Sequence, residues 1–461
     1  MITYSFTNED TLTNQLYEAI KNDITNGTLK DNEKLPSKRA LAKHLNISTI
    51  TVENAYMQLL SEGYIYSKPR SGYYVAHILH RPKRQTIPLI HEEKKEKMKI
   101  DFSSNATSPD HFPFTSWAKV SRYVLTNKQK QLLEPMPTQG LADLREAIAL
   151  HLLDFKDMAV SPSQIIIGAG TEYLYGLLIQ FFGFDVFYGL ETPGYATLSH
   201  VYEAYHVTSI PLPIDHEGVK MSALYDSPVD ILHVTPGHHF PTGITMPINR
   251  RVELLSWVNA SRYIIEDDYD SEFRMMGKPL PSLFSIDTTD HVIYMNTFTK
   301  TLSSTVRVSY MVLPVHLVEA FKKKLSFYNC SVSSFEQEIL ASFIQEGYFE
   351  KHINRMRTIY RRKRNEVLHL FTSHPLSSCS HISEENAGLH FLLTIDCAIN
   401  VNHFKEILKN HQIKIKSLSD YGGDPTPTFI INYSSLSLDD LPGAFDVMYD
   451  IIKEEQSRSS Y

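Results

Sequence analysis

Residues 294–314 read Tyr-Met-Asn-Thr-Phe-Thr-Lys-Thr-Leu-Ser-Ser-Thr-Val-Arg-Val-Ser-Tyr-Met-Val-Leu-Pro. An apolar stretch, His291–Met295, gives way to small hydroxyl residues around Lys300, and Arg307 stands seven positions further on. An amine placed among hydroxyls, with a guanidinium close behind, offers a nucleophile for a carbonyl and a fixed charge for a phosphate. Lys300 is therefore the candidate catalytic group. The plainer reading is a solvated surface lysine, the usual fate of the 45 Lys and Arg residues in this chain, and the neighbouring motifs decide against it.

Two such motifs precede it. Ile264-Ile265-Glu266-Asp267-Asp268-Tyr269 runs from a short apolar strand into carboxylates and a phenol, which places those groups at the C-terminal edge of a sheet, where open α/β folds bind ligands. Gly168-Ala169-Gly170-Thr171 comes directly after the apolar run Ile165–Ile167 and opens a predicted helix whose first amides suit an anion. A pyridoxal phosphate site has to hold an aldehyde, a ring-nitrogen proton and a phosphate. Lys300 serves the first as a Schiff base and Asp267 the second, with Tyr269 on the ring's phenolic oxygen. Ala169, Gly170, Thr171, Thr299 and Arg307 form the predicted phosphate cradle. His238 and His239, a pair on a loop, lack the carboxylate or cysteine spacing of a zinc site, so no metal is expected.

On either side of these motifs, the apolar stretches Gln164–Ile167, Val229–Val234, Tyr263–Ile265 and His291–Met295 alternate with helical segments, as a mostly parallel α/β sheet requires. This effector region is expected over 101–461, with a large part to about 330 and a smaller one over 331–461. Residues 77–100 carry Pro82, Pro88 and the charged run Glu92–Lys97 without an apolar face, and read as a linker.

Residues 1–76 have a different pattern. Leu12, Leu16, Ile20 and Ile24 recur every four residues on one helix face that ends near Asn26-Gly27. Ser37 and Ser48 are N-cap residues for two short helices joined by Asn46-Ile47, a helix-turn-helix. Two aromatic, β-branched segments around Lys68-Pro69-Arg70-Ser71 read as a hairpin with a basic tip. The third helix would address base edges through Ser48, Thr49 and Thr51. Lys38, Arg39, Lys68 and Arg70 would hold phosphates, and Ser71-Gly72 would let the hairpin backbone approach a duplex.

Composition bounds these readings. At 461 residues and 42% hydrophobic content the chain has the length of a multidomain globular protein. Its formal charge of −7 gives no global attraction to nucleic acid, so double-stranded promoter DNA has to be met by a local basic surface. The three cysteines, Cys330, Cys379 and Cys397, are far apart and in no metal-ligand spacing, which predicts reduced thiols in a cytoplasmic protein. No run approaches a membrane span, so no membrane partner is expected.

Leu35–Ala42, Ile47–Tyr56, Glu62–Ile65 and Ser71–Val75 closely resemble the winged helix-turn-helix of the GntR regulators. Thr49 stands where that family commonly carries an arginine. With Gln139–Arg145, Glu191–Tyr195 and Thr235–Gly243 added, the whole chain resembles the MocR group, in which a GntR-type domain is fused to a fold-type I aminotransferase-like domain. The resemblance implies a homodimer, adds Tyr195 to the cofactor residues, and points to the regulators of vitamin B6 synthesis as relatives. Amino-acid-recognising relatives can carry an arginine at the position of Thr197, and aminotransferases usually carry one near Thr428–Ser434; neither is present. The expectation is a sensor without net turnover whose effector is pyridoxal phosphate itself. The alternatives are a regulator that senses an amino compound by its exchange with Lys300, and a working aminotransferase.

Overall fold

The computed structural model describes residues 2–7, 10–78, 98–104, 106–274, 280–386 and 388–459. The chain divides into two units, Met1–Lys95 and Glu96–Tyr461. Most of the expected linker, 79–97 with Pro82, Pro88 and the charged run, lies outside the described residues.

The first unit has helices Leu12–Asn26, Lys38–Leu45 and Thr49–Ser61, then an antiparallel hairpin of β1 (Ile65–Lys68) and β2 (Gly72–Val75). Each helix starts where a hydroxyl can satisfy an otherwise unpaired amide. Thr11, Ser37 and Ser48 accept from the N–H of Asn14, Ala40 and Thr51 at 3.4, 3.2 and 3.0 Å, each such cap being worth about 1 kcal/mol. Leu16, Ile20, Ile24, Leu41, Val52, Ala55, Tyr56 and Leu59 form the core. Leu12 is 42% exposed, so the expected stripe on the first helix begins one turn later.

The second unit is built on an eight-stranded sheet. Its strands are β4 (Ile165–Gly168), β5 (Tyr188–Thr192), β6 (Ser209–Asp215), β7 (Gly218–Val219), β8 (Ile231–Val234), β9 (Tyr263–Asp267), β10 (Val292–Thr297) and β11 (Ser309–Val312), after a short β3 (Ile100–Asp101) that belongs elsewhere. Their order is β4-β11-β10-β9-β8-β5-β6-β7. From β10 to β6 every pairing is parallel, while β11 runs against both neighbours and β7 against β6. Helices cover both faces, which is why β4, β8 and β10 are buried along their whole length and read as continuous apolar runs. The register sets Met295 of β10 beside Asp267 of β9, so the segments after both strands emerge at one edge.

A smaller sheet has the order β12-β13-β16-β15, from Ser380–Ser383, His390–Ile395, Thr428–Asn432 and Lys416–Ser417, with β14 (Ile413–Lys414) alongside. It does not begin at residue 331. Helix Ser334–Gln345 places Leu340, Ala341 and Phe343 in the core of the large part, as do Phe349 and Ile353 at the start of helix Tyr348–Thr372. Met356 and Tyr360 on that same helix belong to the small core, so packing changes partway along one continuous helix. The residues just before Phe102 also differ from expectation. β3 pairs in parallel with β14, Lys99 and Ile100 donate to the Gln412 carbonyl at 2.9 and 3.2 Å, and Phe102 is wholly buried in the small core. A pairing across more than three hundred residues leaves no periodicity to read. Among the described residues no helix is long and apolar enough to cross a membrane.

Candidate functional site

The C-terminal edge of the large sheet opens into a cleft of about 370 Å³. Of the expected cofactor residues, Gly170, Thr171, Tyr195, Asp267, Tyr269, Thr299, Lys300 and Arg307 all line it. Ala169 is set back from this lining, with its N–H donating to the Ser331 hydroxyl at 2.9 Å.

Helix Thr171–Phe182 points its N-terminus at the cleft, and Gly170 at its cap makes no side-chain cap bond. Gly170 adopts φ +98°, and a Cβ there would lie 2.6 Å from Arg307 Nη2. Glycine therefore lets the guanidinium close on the helix start, where Arg307 pairs with Glu172 at 3.0 Å. Thr299 reaches the same end on a chain of hydroxyls. Ser309 donates to Thr297 at 2.8 Å, and Thr297 to Thr299 at 2.8 Å. Amides at a helix start, a hydroxyl and a guanidinium together form an anion site.

Lys300 comes after β10, in the short helical turn Phe298–Thr301. Burial lowers its amine from the ordinary 10.5 to about 8, against the opposing pull of Asp270. A lysine made partly neutral near physiological pH is a competent nucleophile. Asp267 ends β9. Its Oδ2 accepts from the Tyr175 hydroxyl at 2.7 Å and lies 3.9 Å from His233 Nε2. Its Oδ1 is buried and, among the described residues, has no hydrogen-bond partner. A buried carboxylate oxygen left open in a cleft costs free energy unless a ligand donor meets it.

Tyr269 Oη is 3.3 Å from His238 Nδ1, which is itself 2.9 Å from Asp270 Oδ2. Burial first, then Asp270 and Asp267, hold the Tyr269 phenol well above its usual range, so it stays protonated and available as a donor. His238 fits beneath Gly388, where a Cβ would come within 1.9 Å of the imidazole. His239 is 2.7 Å from Thr242 Oγ1 and 3.5 Å from Glu191 Oε2. Both histidines are thus hydrogen-bonded within the fold. Among the described residues no group of three or more His, Cys, Asp or Glu side chains could hold a metal.

The sequence reading missed Tyr175, Glu191, His233, Phe240, Lys416 and Tyr421, all of which line the cleft. Tyr175 lies one turn into the helix after Gly170, on the side that faces β9, and helical spacing could have found it. Lys416 and Tyr421 come from the small sheet and the turn after it, far in sequence from the other cleft residues.

In the first unit the proposed DNA residues divide by what they already touch. Lys38 pairs with Glu53, which ties its charge to the third helix. Ser48 caps that helix and sits 2.8 Å from Thr51 Oγ1. Thr49 is exposed beside Ile50, which is 68% exposed at the helix start. Arg39 and Arg70 are exposed, Arg70 with φ 61° at the hairpin tip. Lys68 lies over the Tyr66 and Tyr74 rings at 5.5 and 4.6 Å. The Ser71 hydroxyl lies 2.6 Å from the Tyr74 hydroxyl. Gly72, at φ +116°, has Lys34 as its near neighbour.

Residues 12–75 match the family of bacterial regulatory proteins, gntR family. The HTH-type transcriptional regulator YdeL of Bacillus subtilis is 38% identical over 93% of this chain and 94% of its own length. The probable rhizopine catabolism regulatory protein MocR of Rhizobium meliloti is 30% identical over 82% of this chain and 80% of its own. The pyridoxine biosynthesis regulator PdxR of Corynebacterium glutamicum is 30% identical over 89% of this chain and 88% of its own. In structure, the kynurenine aminotransferase of Pyrococcus horikoshii superposes with a TM-score of 0.70 at 22% identity, over 78% of this chain and 92% of that enzyme, a likeness of fold.

Proposed function

This chain belongs to the MocR-type group of GntR-family transcriptional regulators, and from that premise we propose that pyridoxal 5'-phosphate held by Lys300 is its effector and that it controls genes of vitamin B6 synthesis. The observation that carries the proposal is convergence. The lysine with a lowered pKa, the open Oδ1 of Asp267 and a helix N-terminus with Arg307 and Thr299 all face one cleft. These groups fit the cofactor's aldehyde, ring nitrogen and phosphate, and when bound it would supply the carbonyl carbon that a lysine amine attacks. The Tyr269 phenol would donate to the ring's phenolic oxygen, and Tyr195 would line the ring.

The kinship with the pyridoxine biosynthesis regulator supports the choice of target genes. The lining supports a sensor over an enzyme. Arg307, the one arginine in the lining among the described residues, is already paired with Glu172, and Thr197 lines the cleft where related amino-acid readers can carry a guanidinium. In the cell the protein acts as a cytoplasmic homodimer on promoter DNA, read by Thr49 and Thr51 and held by Arg39, Lys68 and Arg70. Occupancy shifts the dimer between DNA-bound states by its differential affinity for them.

The test is an absorbance spectrum with pyridoxal phosphate, wild type against Lys300→Ala, and then operator binding with the same samples. The expected result is a lysine-linked band lost in the variant and an operator affinity or footprint that changes with occupancy. An unchanged affinity and footprint at full Lys300 occupancy would overturn the effector role.

A further inference from the structure

We infer that the third helix reads A·T base pairs and that Ile50 is its specificity residue, packed on the 5-methyl group of a thymine. The inference rests on the assignment of helix Thr49–Ser61 as the one that enters the major groove. It is independent of the cofactor reading.

Each base offers a distinct edge in that groove. Guanine presents two acceptors that arginine or lysine meets, and cytosine an amine that a carboxylate accepts. Adenine pairs an acceptor with an amine, which an amide side chain matches, and thymine carries a methyl group beside one acceptor. The helix can be set against this code residue by residue. Thr49–Ser61 reads Thr-Ile-Thr-Val-Glu-Asn-Ala-Tyr-Met-Gln-Leu-Leu-Ser and contains no arginine or lysine, so it has no cation for guanine. Arg39, Lys68 and Arg70 lie on other elements. Its one acid for cytosine is Glu53, and that carboxylate is paired with Lys38.

What remains on the outward face is apolar or amide. Ile50 is 68% exposed and Met57 54%, the two most exposed large apolar side chains among the described residues of this unit. Between them, one turn after Ile50, lies the exposed Asn54, and the spacing of the three puts them on one stripe. A single exposed isoleucine is ordinary on a protein surface. This one stands in the first turn of a groove-entering helix, where side chains face base edges. That turn is held by its own cap. Ser48 accepts from the Thr51 N–H at 3.0 Å, and the two hydroxyls lie 2.8 Å apart. Branching at Cβ leaves Ile50 few rotamers to lose on contact, and its apolar surface gains only by meeting another apolar group. The thymine methyl is the apolar group that the major groove supplies. Asn54, about 6 Å further along the axis, suits the adenine of a neighbouring pair.

The test uses the full-length protein and selection from random DNA duplexes, followed by affinity measurements on the enriched site. Each fixed thymine is then replaced in turn by deoxyuridine, which removes the methyl group and keeps the pairing edge. The wild type is expected to enrich a site with fixed A·T pairs and to lose about fourfold in affinity at one thymine of the site, the worth of one buried methyl. Ile50→Ser should bind the thymine and deoxyuridine duplexes equally, and Ile50→Val should keep most of the difference. Because Ile50 is exposed, both variants should melt as the wild type does. A wild type indifferent to every deoxyuridine overturns the inference, as does a site whose fixed pairs are all G·C. A methyl effect that survives in Ile50→Ser places Thr49 against the thymine and removes the role of Ile50. Enrichment of no sequence at all would remove the DNA-reading assignment itself, so the two failures are told apart.

Discussion

The helix-turn-helix unit and the cleft of the large sheet solve their assembly problems in opposite ways. In the first, caps, core and basic tip all lie between Thr11 and Val75, within one short stretch of chain. The cleft draws on Ser103, Gly170, Asp267, Lys300 and Tyr421, so no stretch of chain contains it. A site of local origin tolerates change elsewhere in the molecule. A site gathered from remote segments depends on the large sheet, the small sheet and the helix that joins them.

Substitutions that touch one side alone put this contrast at risk. The largest effect is expected from Asp267→Asn, which replaces a charged acceptor by a neutral amide. It should weaken pyridoxal phosphate by about 2 kcal/mol, some thirtyfold, in a fluorescence titration, while the melting of the DNA-reading unit stays unchanged. A matched loss on both sides would mean that the units do not behave separately.

Next comes pH. Burial holds the Lys300 amine at about 8 against 10.5 in the open chain, so the neutral nucleophile gains about tenfold per pH unit below 8 and then levels off. Stopped-flow capture of the cofactor should trace that curve; a rate still climbing beyond pH 9 would place the amine in solvent. Between 8 and 10.5 the unfolded chain binds the proton that the folded chain has released, so this group makes folding more favourable as pH rises through that window.

Smaller effects belong to the reading unit. Ser48→Ala removes the cap of the third helix and should cost about 1 kcal/mol in its unfolding transition, without altering cofactor absorbance. Lys68→Ala should weaken operator and non-operator DNA alike and lower the slope of log affinity against log salt by about 1. A selective loss at the operator would show instead that Lys68 reads bases.

The difference between local and gathered sites also explains how much of the molecule could be read from the chain. Ser37, Ser48 and Gly27 are local signals with local consequences, and the helices begin and end where those residues put them. Asp267 and Lys300 were legible because each lies at or just past the end of an apolar strand, and parallel strands deliver their C-terminal ends to one edge. Lys416 was not legible as a cleft residue, since the alternation Ile413-Lys414-Ile415-Lys416 marks a strand but nothing in it points to a cleft formed by remote segments. The pairing of Ile100 with Ile413 was hidden for the same reason, as was the change of core within helix Tyr348–Thr372.

That pairing has a mechanical result. Coming from the DNA-reading unit, the chain is first zipped onto β14 and then pinned at Phe102, whose carbonyl accepts from both the backbone and the side-chain amide of Asn432 at 3.0 and 2.9 Å. Residues 99–102 are therefore fixed to the small sheet and to β14 beside it. Any displacement of the small sheet relative to the large one therefore carries residues 99–102 with it.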